Sequence, residues 1–329
     1  MSTHLAVAIV AETPAQALEL ARSLPPDVSL VEYRLDLMDV VDVDYLARHS
    51  PQTAIFTCRS QEQGGGFRGS DRERQEILKQ ALATPHLVDI EMTDLPAMRP
   101  FISDPARVIG SWHDFAGMLG DWGSRGARLR DLGAGIVKLV GMATTTDDVL
   151  LPSVWLSWQR DAGIAIAMGA AGLATRLLAP RFANAFLTFA SVKHASAPGQ
   201  IDVQEMLTKY GFSHIAKASP LLVMLTPHPV PWETVEHYRR TLKKRFQRGH
   251  PWLLPVPVTT LHVGLALALK LARTTGIIRL PAVATSPQLS AYGLQSEAVA
   301  WRFERNSQPK ALIRATTTND IMDFLLQGN

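Results

Sequence analysis

A single lysine interrupts an otherwise apolar run, Gly135-Ile136-Val137-Lys138-Leu139-Val140-Gly141. Desolvating an ammonium group is costly, so a buried strand rarely carries one without a use for it. Burial favours the neutral amine, a nucleophile that condenses with a ketone or aldehyde to give a Schiff base. The competing reading is a strand-end lysine whose stem is covered and whose head reaches water. Other polar residues recur where apolar runs end: Glu32, Arg34 and Asp36; Arg59; Asp89 and Glu91; His113 and Asp114; Arg176. Each alone is ordinarily a salt-bridge partner or a hydrogen-bonded core residue. Together they supply what carbonyl chemistry needs. A histidine titrates near neutrality and moves protons, with Asp114 or Glu91 as candidates to orient its ring. Arginine offers a planar fork to a carboxylate. The stretch Ser196-Ala197-Pro198-Gly199-Gln200 reads as a mobile lid that closes Gln200 over a ligand.

Short apolar runs alternate with longer amphipathic segments, which is the pattern that places these residues. Strands are expected at 5–10, 29–34, 53–58, 87–92, 107–112, 135–141, 164–168 and 186–192, with helices between them. Ser70, with Glu73 three positions later, forms a capping box for one of those helices. Eight strand–helix units predict an α/β fold, a closed (β/α)8 barrel over residues 1–212, with its site at the C-terminal strand ends. Residues 218–329 read as a separate small α/β domain. Its strands are expected at 221–225, 252–256, 277–280 and 310–315, and its helices at 232–246, 261–274, 294–302 and 320–326. It contains no G-x-G-x-x-G phosphate loop.

The composition narrows the classes of function. Hydrophobic residues make up 47% and charged residues 19% of 329, enough apolar surface for a large core and enough length for two domains. The net charge of +3 is mild; Arg239, Arg240, Lys243, Lys244 and Arg245 read as the solvated face of one helix, so no nucleic-acid partner is expected. One cysteine, Cys58, excludes an internal disulfide framework or a thiolate metal cage. No basic leader precedes the first strand, and no run of about 18 apolar residues offers a membrane span. The expectation is a cytoplasmic protein acting on a small molecule, compatible with a homodimer.

The motifs Glu32-Tyr33-Arg34-Leu35-Asp36, Thr57-Cys58-Arg59, Asp89-Ile90-Glu91, Ser111-Trp112-His113-Asp114-Phe115, Ile136-Val137-Lys138, Met168-Gly169 through Thr175-Arg176, and Ser196-Ala197-Pro198-Gly199-Gln200 follow one order and spacing. In these, residues 1–212 resemble the type I 3-dehydroquinate dehydratases. The resemblance implies a barrel that removes water from 3-dehydroquinate to give 3-dehydroshikimate, in the shikimate pathway of aromatic amino acid biosynthesis, without metal or cofactor. It makes Lys138 the Schiff-base lysine and His113 the general acid and base. Arg176 then holds the substrate carboxylate, Glu32, Arg34, Arg59 and Gln200 bind its hydroxyls and ring, and Met168, Phe189 and Ser196 complete the wall.

The chain departs from the family at Gln63, where a glutamate is usual, although Glu62 lies one position earlier. It also reads Ala116-Gly117 in place of the usual Thr-Pro, and Gly135 in place of an aspartate. If the missing carboxylate tunes the histidine, a slower rate or a shifted pH profile follows. Residues 218–329 resemble the substrate-binding domain of shikimate dehydrogenase, through the 252–258 stretch, the 277–281 strand and Thr317-Thr318-Asn319-Asp320. By that likeness Pro231 and Glu233 replace two substrate-binding serines and Val283 replaces the lysine, while Asp320 is kept; no nicotinamide domain is expected to follow. A structural or oligomerising part is expected here, a regulatory ligand pocket being the alternative. For the barrel, the rivals are a catalytically inactive metabolite-binding protein and a class I aldolase-type Schiff-base lyase.

Overall fold

In the computed structural model, residues 3–118, 120–215, 220–226, 231–245 and 252–258 are described, together with the backbone of three further strands within 274–315. Eight parallel strands, β1 (His4–Ile9), β2 (Leu30–Arg34), β3 (Thr53–Thr57), β4 (Leu87–Glu91), β5 (Val108–Asp114), β6 (Ile136–Met142), β7 (Gly163–Met168) and β8 (Leu187–Ser191), follow one another in space in the order β7-β6-β5-β4-β3-β2-β1-β8. The ring closes between β7 and β8 through a parallel bridge of Gly163 with Ala185, and the Phe186 N–H donates to Gly163 O at 2.8 Å. This is the expected (β/α)8 barrel.

Because successive strand side chains alternate between faces, the sequence sorts itself into inner and outer sets. Leu5, Val7, Ile9, Val31, Phe56, Val88, Ile90, Val137 and Leu139 join the large apolar cluster shared with the helices. A second cluster, with Leu30, Ile55, Leu87, Ile109, Ile136, Ile164 and Leu187, fills the barrel interior. Two residues further along each strand, the same inward parity delivers Glu32, Thr57, Asp89, Ser111, Lys138, Ile166 and Phe189. One more step delivers Arg34, Arg59, Glu91, His113, Val140 and Met168. The interior is thus sealed by hydrocarbon at the N-terminal end and becomes polar toward the C-terminal end.

The covering helices are α1 (Pro14–Arg22), α2 (Val43–His49), α3 (Asp71–Leu82), α4 (Leu95–Met98), α5 (Trp122–Asp131), α6 (Leu150–Trp158), α7 (Leu173–Leu178) and α8 (Val203–Thr208). The capping box at the start of α3 is present: the Glu73 N–H donates to Ser70 Oγ, and the Ser70 N–H to Glu73 Oε2 at 2.7 Å. Strand β5 runs two residues past its expected end. His113 and Asp114 pair with Val140 and Gly141 of β6, so the histidine belongs to the barrel wall and not to a loop. Among the described residues no helix is long and apolar enough to cross a membrane.

Beyond the barrel lie β9 (Leu221–Thr226), α9 (Trp232–Arg245), β10 (Trp252–Pro257), β11 (Thr274–Arg279), β12 (Ala298–Phe303) and β13 (Pro309–Ala315). They form a five-stranded sheet in the order β10-β9-β11-β12-β13, parallel through the first three strands and antiparallel after. The helix expected at 294–302 is incorrect, since 298–303 is a strand paired with both β11 and β13. Val299, Trp301 and Phe303 alternate with Ala300 and Arg302, a period of two that the helical reading overlooked. The helices expected at 261–274 and 320–326, and the positions Val283 and Asp320, lie outside the described residues, apart from Thr274, which opens β11.

Candidate active site

Lys138 is 5% exposed, which eliminates the reading of a strand-end lysine with its head in water. Its Nζ donates to Asp89 Oδ2 at 2.8 Å, stands 3.6 Å from Glu32 Oε1 and lies 4.6 Å from the centre of the Phe189 ring. The ammonium therefore meets carboxylates where the sequence suggested apolar walls. Asp89 also receives Arg59 Nη2 at 2.9 Å and Ser111 Oγ at 2.5 Å. Burial opposes ionisation of Asp89, but Arg59 and Lys138 outweigh it and hold the carboxyl well below its usual range. Desolvation likewise works against the Arg59 cation; Asp89, Glu91 and Glu32 overcome it and raise its pKa. These contacts follow from register: Thr57 lies beside Asp89, and Ser111 beside Lys138.

His113 sits half-buried beside this cluster. Its backbone N–H donates to the Gln63 side-chain oxygen at 2.7 Å, and its ring lies nearly parallel to that of Phe115, 18° apart with centroids at 6.4 Å. Nδ1 is buried and has no hydrogen-bond partner among the described residues. Burial pushes the imidazole pKa well below its ordinary value, and the cations of Arg59 and Lys138 push the same way. The expectation that Asp114 or Glu91 orients the ring is corrected. Asp114 Oδ1 accepts from the Ala116 N–H at 2.9 Å and so caps the loop. Glu91 accepts from the Ser60 N–H and Oγ at 2.8 and 2.7 Å and neighbours Arg74 at 3.4 Å, so its carboxylate is committed elsewhere.

Three arginines approach the cleft and differ in their partners. Arg34 forks onto Asp36 at 2.9 and 2.7 Å, leaving Nη1 to reach Ser196 O at 3.3 Å. Arg59 is held by Asp89 and Glu91. Arg176, 2% exposed, meets no carboxylate among the described residues. Its Nη2 donates to Pro198 O at 3.4 Å and its Nε is unpartnered. Burial alone lowers its pKa to about 10. A buried cation without an anion is costly, so this guanidinium can take one that arrives with a ligand.

The loop over the cleft is docked on these groups. Ser196 N–H and Oγ both donate to Gln200 Oε1, at 2.8 and 3.1 Å, and the Gly169 N–H donates to Pro198 O at 3.2 Å. Gly199 has φ +73, and a Cβ there would lie 2.4 Å from Gly169 O, so no other residue allows this approach. Glu32, Arg34, Arg59, Gln63, His113, Lys138, Met168, Arg176, Phe189, Ser196 and Gln200 line one cleft. Thr57, Gly64, Phe115, Val140, Ile166 and Ala197 also line it. Asp89 and Ser111 stand behind the lysine; the sequence names Asp89 among the strand-end polar residues and Ser111 in a motif but gives neither a role, although Asp89 shares its inward parity with Glu91. Among the described residues no three His, Cys, Asp or Glu side chains group as metal ligands.

Fold and site together define an enzyme barrel built around a buried lysine. The chain belongs to the type I 3-dehydroquinase family, whose model matches residues 5–217. It is 30% identical over 214 residues to a 3-dehydroquinate dehydratase of Methanococcus maripaludis, covering 61% of this chain and 96% of the relative. The fold is similar to that of the 3-dehydroquinate dehydratase of Geobacillus kaustophilus, with a TM-score of 0.57 at 24% identity over 63% of this chain and 90% of that one. It is also similar to a dehydroquinate dehydratase and shikimate dehydrogenase from S. pombe, with a TM-score of 0.54 at 20% identity, over 84% of this chain and 56% of the other.

Proposed function

We propose that the barrel dehydrates 3-dehydroquinate to 3-dehydroshikimate through a Schiff base on Lys138. The observation that carries this reading is the pairing, in one cleft, of the buried lysine with a buried arginine that no carboxylate among the described residues neutralises. Arg176 takes the substrate carboxylate in a bidentate fork and so presents the ketone to Nζ. Glu32, Arg34, Arg59 and Gln200 bind the hydroxyls and ring, and Met168, Phe189 and Ser196 bound the pocket. An aldolase-type reading accounts less well for Arg176 and for the loop that Gln200 closes.

Each step has a group placed for it. Neutral His113 takes the proton that Lys138 sheds, and the amine attacks the ketone carbon. His113 returns the proton to the carbinolamine hydroxyl, which leaves as water and gives the iminium. The iminium accepts electron density, so the hydrogen on the neighbouring carbon becomes acidic enough for His113 to remove, forming an enamine. The enamine expels the β-hydroxyl, which takes the proton back from the imidazolium and departs as water. Hydrolysis of the conjugated iminium consumes one water and frees Lys138, so the net change is loss of one water. Asp89 and Glu32 hold the lysine cation between turnovers. The test is a steady-state assay that follows the ultraviolet absorbance of the conjugated product; a purified full chain without turnover would refute the assignment.

For the second sheet we favour a structural role over a dehydrogenase, because Pro231 and Glu233 replace the serines expected of a shikimate site. We place the enzyme in the cytoplasm, on its composition and its single buried cysteine.

A further inference from the structure

Helix α7, which carries Arg176, is unlike the other barrel helices. Helix α1 buries one stripe, Pro14, Ala17, Leu18 and Ala21, half-buries Leu20, and turns Ala15, Gln16, Glu19 and Arg22 to water. In α7 every residue from Ala174 to Leu178 is buried, and burial continues through Phe182. A helix covered on all sides needs a wall on its outer face, and at six residues α7 is too short to hold itself together. Its inner face is fixed to the barrel: Thr175 Oγ1 accepts from the Ala167 N–H at 3.1 Å, and Thr188 Oγ1 donates to Arg176 O at 3.0 Å. Its outer face packs against β10. Leu177 and Leu178 share one continuous apolar cluster with Val223, Leu225, Leu254 and Val256 of the second sheet.

A polar clamp sets where that wall stands. The Trp252 Nε1–H donates to Tyr210 O at 2.8 Å, and its ring stacks on His214, with centroids 4.2 Å apart and planes 13° apart. Gly211, at φ +69, makes room for it, since a Cβ there would lie 2.2 Å from the indole. Arg239 of α9 covers the same ring at 4.0 Å and donates to Lys209 O at 2.8 Å and Leu253 O at 3.0 Å. The carbonyls just past the end of α8, which a helix leaves unpaired, are thus capped from the second sheet.

We propose that the five-stranded sheet is a working wall of the substrate site: held by Trp252 and Arg239, it fixes α7 and thereby places the Arg176 guanidinium, which makes Trp252 and Arg239 positioning residues. Their role depends on Arg176 being the group that takes the substrate carboxylate. Both lie outside the cleft, so loosening the clamp weakens the carboxylate contact without touching Lys138 or His113.

The experiment uses the full chain and 3-dehydroquinate. Arg239→Ala and Trp252→Ala should each raise KM about 2- to 30-fold, the range of couplings carried through packed elements, while kcat stays near the parent's. Trp252→Phe, which keeps an aromatic face but loses the bond to Tyr210 O and part of the indole contact at Gly211, should fall between them and the parent. In an Arg176→Ala background the clamp changes should add no further rise. Should Trp252→Ala prove insoluble, Arg239→Ala and Trp252→Phe decide the matter. A KM unchanged in an active Arg239→Ala enzyme, a fall in kcat alone, or a full additional rise in the Arg176→Ala background would each overturn the positioning role. An inactive parent would overturn the dehydratase assignment and this role with it.

Discussion

By the resemblance read from the sequence, Gln63 takes the place of a glutamate, and its contact in the structure allows the consequence of restoring one to be worked out. Its side-chain oxygen accepts from the His113 N–H at 2.7 Å, a bond that a carboxylate makes as well or better. Gln63→Glu therefore keeps the geometry and adds one negative charge beside the imidazole. At a separation of about 5 Å and an effective dielectric of about 20, the attraction to an imidazolium is about 3 kcal/mol, or about 2 pKa units before the new carboxylate is charged for its own burial. A net rise of about 1–2 units is expected. In the parent, burial with Arg59 and Lys138 holds His113 well below its ordinary value, so the ring is the neutral base throughout the neutral range. Activity should then be flat near neutrality and fall only as acid protonates the ring. Raising the pKa moves that fall to higher pH. The assay is kcat/KM against pH for parent and variant in one buffer series of constant ionic strength. An acid limb that stays in place, or moves to lower pH, would refute the assignment of His113 as the base that this charge tunes.

Other perturbations follow from the same contacts. Asp89→Asn keeps an acceptor for Ser111 but leaves Lys138 and Arg59 short of a charge, and should cost about 3–5 kcal/mol of stability near pH 7. Because the folded-state pKa of Asp89 is depressed, its contribution is complete above the unfolded value and is lost as pH falls. The deficit in denaturation midpoint should therefore shrink below about pH 4, where the parent loses the same interaction. His113→Ala should lower kcat by about 10²–10⁴ while borohydride still traps some imine, because the lysine remains. Arg176→Ala should weaken substrate binding by about 2–5 kcal/mol, read as a higher KM, with trapping preserved at saturating substrate.

What the sequence makes legible here is whatever depends on local periodicity. Parity along each strand already turns Leu30, Glu32 and Arg34 to one face, and Ile136, Lys138 and Val140 likewise, so the polar end of the barrel can be read before any coordinates. The Ser70 capping box is local too, and is found intact. Contacts between strands are a different matter. That Asp89, and neither Asp114 nor Glu91, is the carboxylate bonded to Lys138 depends on the registers of β4, β5 and β6, which no single segment states. The role of Gln63 is hidden for the same reason, because its partner is a backbone N–H fifty positions away. In the second sheet the strand at 298–303 reads as a helix from sequence because two alanines among Val299, Trp301 and Phe303 weaken the alternation. The length of α7 gives no warning in sequence that a second sheet must cover it, although its unbroken burial does so in the structure.

Whether Lys138 carries the covalent bond is tested most directly by reducing the full chain with borohydride in the presence of 3-dehydroquinate and mapping the adduct by peptide mass spectrometry. The predicted result is one reduced ligand per chain, attached at Lys138, with no adduct in Lys138→Ala and with turnover lost in step with the modification. An active enzyme that yields no adduct, or an adduct that maps to another lysine, would contradict the Schiff-base mechanism.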